Sequence, residues 1–118
     1  MKLPNGELAI VDLAKLRDYC LNPNHPRGRH KARVFASALS MTRAHVEELR
    51  QALLLAAKDG NAAIGASNDY GTRYIIDFEV KREAKTAMVR SIWIVGPDAI
   101  SPRFITCYVS SPVMCCFR

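Results

Sequence analysis

The sequence lacks the features that would mark a membrane protein, a metalloprotein or a disulfide-rich secreted protein. No apolar run approaches the ~20 residues of a membrane span, and the first residues contain no hydrophobic stretch typical of a signal peptide. The 4 cysteines include no Cys-x-x-Cys pair and no zinc-type spacing with histidine. We therefore expect a cytoplasmic protein that requires no metal or other cofactor and binds no membrane.

The residue patterns of several hydrolase classes are missing too. Asp12, Asp18 and Asp69 do not form a close acidic set, so neither a two-carboxylate hydrolase nor a magnesium nuclease has support. No nucleophile-elbow motif surrounds Ser91 or Cys107, and a serine or cysteine nucleophile is equally unsupported. The remaining option is chemistry carried by histidine and by cationic side chains.

Acidic residues are the scarcer charged type. The chain contains 17 Lys and Arg against 11 Asp and Glu, which gives a net charge of +6 and a pI of about 9.4. This balance points to an anionic partner. Nucleic acid, an anionic membrane surface and an acidic protein all fit the charge alone.

Residues 22–35 contain no acid at all but are rich in histidine and cations. These side chains are His25, Arg27, Arg29, His30, Lys31 and Arg33. Histidine titrates near neutrality while lysine and arginine stay positive, and cleavage of a phosphodiester without a metal needs both kinds of group. The segment therefore predicts a site that binds or cuts RNA. A basic loop leading into an ordinary surface helix is the alternative interpretation.

The first half of the chain has the spacing of helices. Asp12 can cap a short helix, a second helix resumes near Arg29, and Thr42 can cap a third that ends at Gly60. The length of 118 residues and the apolar fraction of 49% fit one compact domain.

From Gly71 onward polar and apolar residues alternate, as in strands. We predict strands at 71–80, 86–95 and 103–109, with a further short strand possible at 62–65. The predicted fold class is α+β, with N-terminal helices packed on a three- to four-stranded antiparallel sheet. The residues expected in or near the core are Phe35, Leu39, Leu49, Leu53, Ile92 and Ile94. Cys20 and Cys107 are interpreted as small core side chains, and the Cys115-Cys116 pair as an accident of the tail.

Five blocks of the sequence, taken together, resemble a small bacterial family of unknown function. The blocks are residues 3–6, 21–35, 70–74, 89–95 and 102–108. That family is found beside antitoxin-like genes and as the C-terminal domain of polymorphic toxins, and it is similar to the barnase, EndoU, colicin-nuclease and RelE group of metal-independent ribonuclease toxins. The resemblance implies one toxin-like domain over residues 1–109, followed by a tail over 110–118.

The resemblance also implies a set of functional residues. The implied catalytic residues are His25, Lys31, Arg90 and Thr106. The side chains expected to contact RNA are Arg27, Arg29, His30, Arg33, Trp93 and Tyr108. The implied reaction is attack by an RNA 2′-hydroxyl on the neighbouring phosphorus, and the implied partners are mRNA or tRNA and a small acidic antitoxin protein.

Alternatives remain open for individual residues and for the whole domain. Trp93 lies in an apolar strand and can be a core aromatic, and Arg90 can form an ion pair with Asp77 or Glu79 on the neighbouring strand. The domain as a whole can be a non-catalytic module that binds RNA or an acidic protein. The sequence leaves the oligomeric state undetermined.

Overall fold

The structure, a computed structural model, describes residues 2–82, 84–98 and 100–112. Three helices come first: α1, which starts at Leu13–Lys15 and continues as a π-helical turn at Leu16–Cys20, α2 at Arg29–Leu39 and α3 at Val46–Asp59. Four strands follow: β1 at Ala62–Asn68, β2 at Gly71–Arg82, β3 at Lys85–Val95 and β4 at Arg103–Pro112. Within the described part of the chain, none of the helices has the length and apolarity to span a bilayer.

The helix ends follow the capping residues that the sequence contains. The Asp12 carboxylate accepts a hydrogen bond from the Ala14 amide at 3.0 Å, and Thr42 caps the short turn that leads into α3. His45 completes this cap, because its Nδ1 accepts the Thr42 amide at 3.0 Å. Both predicted N-caps are confirmed, whereas the part played by His45 has no signal in the sequence.

The four strands form one antiparallel sheet in the order β1-β2-β3-β4. The predicted α+β fold with N-terminal helices is therefore confirmed. Strand β4 continues to Pro112, beyond the predicted end at residue 109. Cys115 and Cys116 lie outside the described residues.

The hydrophobic core lies between the helices and one face of the sheet. Phe35, Leu39, Leu49 and Leu53 are fully buried, as predicted. Two core predictions are wrong: Ile92 and Ile94 are only partly buried and alternate with the buried residues Val89, Ser91 and Trp93 on β3. Strand β3 is apolar on both faces, so the two-residue period alone could not tell which face meets the helices.

The β2–β3 turn is tied to the C-terminal end of α2 by Arg82. Its guanidinium donates to the carbonyl oxygens of Leu39 at 3.3 Å and Ser40 at 3.0 Å, and it pairs with Glu48 at 2.8 Å. Only 13% of the Arg82 side chain is exposed. Cationic groups that bind the last carbonyls of a helix satisfy acceptors that the helix itself leaves unpaired.

We expect Arg82→Met to lower the free energy of unfolding by about 1.5–3 kcal/mol, because charge-assisted hydrogen bonds to the end of α2 are lost. Urea denaturation followed by circular dichroism measures this change. Lys81→Met is the matched control, since 73% of the Lys81 side chain is exposed and its pair with Glu79 spans 3.7 Å. The control should stay within about 0.5 kcal/mol of wild type, and equal losses in both variants would contradict the capping role.

Candidate functional site

Lys31 is the centre of a polar cluster at the junction of the helices and the edge strand β4. Its ammonium donates hydrogen bonds to the Tyr19 hydroxyl at 3.2 Å and to the Thr106 hydroxyl at 3.1 Å. The same nitrogen lies 4.8 Å from the centre of the Tyr19 ring and 5.6 Å from that of the Tyr108 ring. These four residues, Tyr19, Lys31, Thr106 and Tyr108, are called the Lys31 cluster below.

Local backbone geometry brings the cluster together. The π-helical turn, closed by the bond from the Leu21 amide to the Leu16 carbonyl at 2.9 Å, carries Tyr19 next to the buried residue Cys20. Gly28 lies directly on this turn, and a Cβ atom there would overlap the Tyr19 carbonyl. The loop over residues 22–28 can therefore pack against Tyr19. Helix α2 begins directly after this loop, at Arg29, and its third residue, Lys31, reaches the cluster. On the other side, a register shift between Ile92 and Trp93 places a β-bulge in β4 just before Thr106.

His25 stands beside the cluster with its ring edge against Tyr19, at 4.8 Å between ring centres. Its Nδ1 accepts two backbone hydrogen bonds, from Arg27 and from Gly28, each at 3.0 Å. An Nδ1 that accepts bonds carries no proton, so the neutral ring has its proton on Nε2. His25 can therefore donate a hydrogen bond through Nε2 while it holds the loop in place.

The Lys31 ammonium has one N–H left after its bonds to Tyr19 and Thr106, because an ammonium group has three donors. The Tyr19 oxygen accepts from Lys31, so the Tyr19 hydroxyl hydrogen is available for another acceptor, whereas the Thr106 hydroxyl also contacts the Cys20 sulfur at 3.8 Å. No carboxylate pairs with Lys31 among the residues that the structure describes. The cluster thus offers a positive charge and several converging donors without a compensating negative group, which are the requirements of a phosphate site.

Arg90 joins this region from β3, opposite Tyr108 in the strand register. Its guanidinium forms a two-point ion pair with Asp77, at 2.8 and 3.0 Å. The hydrogen bonds and charge of Arg90 hold the pKa of Asp77 below its usual range, and the bonds to Asp77 and to the Tyr108 hydroxyl raise the pKa of Arg90. The ion pair considered from the sequence is therefore present. About 40% of the Arg90 side chain is still exposed beside Tyr108.

Trp93 does not belong to the cluster. Its side chain has 0% exposure, and its Nε1 donates to the Ser91 hydroxyl at 2.9 Å, which in turn donates to the Ile76 carbonyl. The ring packs edge-on against Phe104 at 5.6 Å. The expectation that Trp93 stacks on an RNA base is wrong for this fold, because the indole has no surface open to a base.

The other predicted RNA contacts lie on the exposed side of the loop and of α2. Arg27, Arg29, His30 and Arg33 are all exposed, and in the described part of the chain none of these side chains forms an ion pair. They surround the loop that carries His25 without joining the Lys31 cluster. Their position fits contacts with a polyanion outside the cluster.

Two buried thiols lie behind the cluster. The Cys20 sulfur is 3.8 Å from the Thr106 hydroxyl. Hydrogen bonding with Cys107 and Thr106, together with the charge of Lys31, lowers the pKa of Cys20, whereas burial raises the pKa of Cys107. Both thiols are core side chains, as interpreted from the sequence. Across residues 2–82, 84–98 and 100–112, no group of three or more metal-binding side chains comes together.

Tyr19 is the member of the site that sequence reasoning missed. It lies in a helical segment interpreted only through its buried positions, and its hydroxyl has no motif of its own. The π-helical turn, an arrangement that frequently marks functional sites, becomes visible only in the structure.

No curated protein and no solved structure matches this chain. A family model described as "Domain of unknown function (DUF6883)" matches residues 2–111, which is nearly the whole chain. The chain therefore belongs to this family of domains of unknown function.

Proposed function

We propose that this protein is a metal-independent endoribonuclease of the toxin type, which cleaves RNA by attack of a 2′-hydroxyl on the adjacent phosphorus. The observation that carries the proposal is the Lys31 ammonium, held by two hydroxyls and two aromatic rings and free of any carboxylate in the described residues. An ammonium so arranged is preorganised for negative charge that develops during the reaction.

In the proposed reaction the O2′–P bond forms and the P–O5′ bond breaks, leaving a 2′,3′-cyclic phosphate and a 5′-hydroxyl. Lys31, with Tyr19 and Thr106, stabilises the negative phosphorane. His25 donates a hydrogen bond from Nε2 to the phosphate or to the departing oxygen. The proton of the 2′-hydroxyl passes to water, and the leaving oxygen takes one from water. A true acid–base role for His25 would require release of Nδ1 from the two loop amides.

The substrates we propose are mRNA or tRNA, and the partner is a small acidic antitoxin protein. Charge complementarity supports both, because the chain carries +6 and the arginines around the His25 loop are exposed. Binding of an acidic protein over this loop would block the approach of RNA to Lys31.

The test of the proposed function is cleavage of labelled single-stranded RNA by the purified protein in EDTA. We expect cleavage of RNA but not of DNA or of 2′-O-methyl RNA, because both analogues lack the attacking hydroxyl. His25→Asn is the informative variant, since the asparagine oxygen can still accept the loop amides while the Nε2 donor is lost. Cleavage that stops in EDTA, or that proceeds equally on DNA, would rule out the proposed reaction.

The second candidate function is a non-catalytic RNA-binding module. The occupied Nδ1 of His25 favours it, because a histidine that only stabilises a loop needs no chemistry. A module of this kind would bind RNA through its exposed cations and leave it intact in the assay above.

Under either function we expect RNA affinity to fall steeply with salt. Each phosphate contact on a single strand contributes about −0.7 to the slope of log affinity against log salt. Replacing Arg27 and Arg29 together with glutamine should therefore make the slope shallower by about 1.4. Fluorescence anisotropy at several salt concentrations measures this slope, and an unchanged value would place the binding surface away from the loop.

A further inference from the structure

The sheet face opposite the helices carries a row of side chains that the proposed reaction does not use. In the strand register Arg73 on β2 lies opposite Ile94 on β3, and Ile94 lies opposite Arg103 on β4. Arg73 and Arg103 are exposed, and Ile94 is partly buried and follows the buried residue Trp93 on its strand. We call Arg73, Ile94 and Arg103 the arginine row.

Neither arginine of the row is neutralised. No carboxylate pairs with Arg73 or Arg103 in the part of the chain that the structure describes, in contrast to Arg90, which is bound by Asp77. The row therefore presents two free guanidinium groups on either side of an apolar residue.

An exposed aromatic ring stands at the same end of the sheet. Tyr70, in the β1–β2 turn, is 81% exposed. Its backbone amide donates a hydrogen bond to the Asn68 side-chain oxygen at 2.8 Å, which forms an Asx turn. Tyr70, Ile94 and Arg103 line one cleft of about 480 Å³, together with the apolar residues Ile10 and Ile100. An exposed ring beside free arginines matches a single-stranded nucleic acid, whose bases stack and whose phosphates bind guanidinium groups.

Strands β3 and β4 link the arginine row to the Lys31 cluster. Arg90, which lies opposite Tyr108 of the cluster, is four positions from Ile94 on β3, or about 13 Å along the strand. The strand register places Ile75, Ile92 and Thr106 between them, and all three are partly exposed. One oligonucleotide can therefore contact both places.

We propose that the arginine row and Tyr70 form a second subsite for single-stranded RNA, separate from the reacting phosphate. This inference rests on the proposed function in taking RNA as the substrate. The subsite binds a flanking nucleotide: Arg73 and Arg103 contact its phosphates and the Tyr70 ring stacks on its base. An acidic protein is the competing occupant, but a surface built for a protein would not require stacking on Tyr70.

The test is the affinity of fluorescein-labelled 2′-O-methyl RNA, which binds but cannot be cleaved, measured by fluorescence anisotropy. We expect the Arg73→Gln, Arg103→Gln double variant to bind at least tenfold more weakly, with a salt slope shallower by about 1.4. Tyr70→Ala should weaken binding at least about fivefold, the low end for loss of one stacked base. The control is Lys2→Gln with Lys58→Gln, which removes the same charge at two exposed lysines outside strands β2–β4.

The outcomes separate this inference from the proposed function. Equal affinities for the double variant and the control, or no binding of the RNA by wild type, would overturn the subsite. Binding that depends on the arginine row in a protein that cleaves no RNA would support the subsite and reject the ribonuclease. Cleavage by wild type with no dependence on Arg73, Arg103 or Tyr70 would reject the subsite and leave the ribonuclease standing.

Discussion

Replacing Lys31 with methionine is expected to lower the rate of RNA cleavage by about 10²–10³-fold, the usual effect of removing one preorganised donor to a developing negative charge. Methionine keeps the apolar stem of the lysine between the rings of Tyr19 and Tyr108 but removes the ammonium. The measurement is single-turnover cleavage of a labelled oligonucleotide. Binding should weaken as well, because the ammonium also contacts the phosphate before the reaction begins.

The control for this prediction is Lys58→Met, which removes the same charge from an exposed position on α3. We expect the control to retain wild-type rates, so any loss specific to Lys31 does not reflect net charge. Thermal unfolding of both variants identifies a loss caused by misfolding. A Lys31→Met protein that is folded and fully active would mean that the cluster has no part in catalysis.

Replacing Trp93 with alanine is expected to lower the free energy of unfolding by about 3–5 kcal/mol, the usual cost of truncating a large buried aromatic. The indole fills the core beside Phe104, and its loss also leaves the Ser91 hydroxyl without its donor. Urea denaturation measures the change. A loss below about 1 kcal/mol, far short of that usual cost, would contradict the buried position of Trp93.

A second variant separates the structural role of Trp93 from RNA binding. Trp93→Phe keeps an apolar ring in the core and removes only the Nε1 donor. We expect this variant to bind RNA with the affinity of wild type, because the side chain has no exposed surface. Weaker RNA binding with unchanged stability would restore the stacking role implied by the family resemblance.

The fold was largely readable from the sequence because its signals are local. Asp12 and Thr42 are capping residues at the predicted places, and the alternating pattern from Gly71 onward coincides with the start of β2. Strand β1, considered only as a possible short strand at 62–65, extends over Ala62–Asn68. The sequence does not indicate which face of β3 meets the helices, because Ile92 and Trp93 are both apolar. In the structure Trp93 lies in the core with Ala87 and Val89, whereas Ile92 lies on the opposite face of the strand.

Part of the candidate site could be predicted from the sequence. Lys31 contacts Thr106, and His25 lies against Tyr19, the residue that connects them. The catalytic roles that the family resemblance implies for His25, Lys31 and Thr106 stay predictions. A contact between positions 19 and 31 depends on a π-helical turn and on the close approach of Gly28, and neither follows from periodicity. The bonds from the Arg27 and Gly28 amides to His25 Nδ1 are local to the loop, but no residue pattern of the sequence predicted them.

The most direct test of cleavage at the Lys31 cluster is the identity of the RNA ends, determined by mass spectrometry after digestion in EDTA. Attack by the 2′-hydroxyl predicts fragments that end in a 2′,3′-cyclic phosphate and begin with a 5′-hydroxyl. These ends should be formed by wild type and by Lys58→Met, and should be strongly reduced in Lys31→Met. Fragments with 5′-phosphate ends, or cyclic phosphates formed equally by Lys31→Met, would contradict the proposed mechanism.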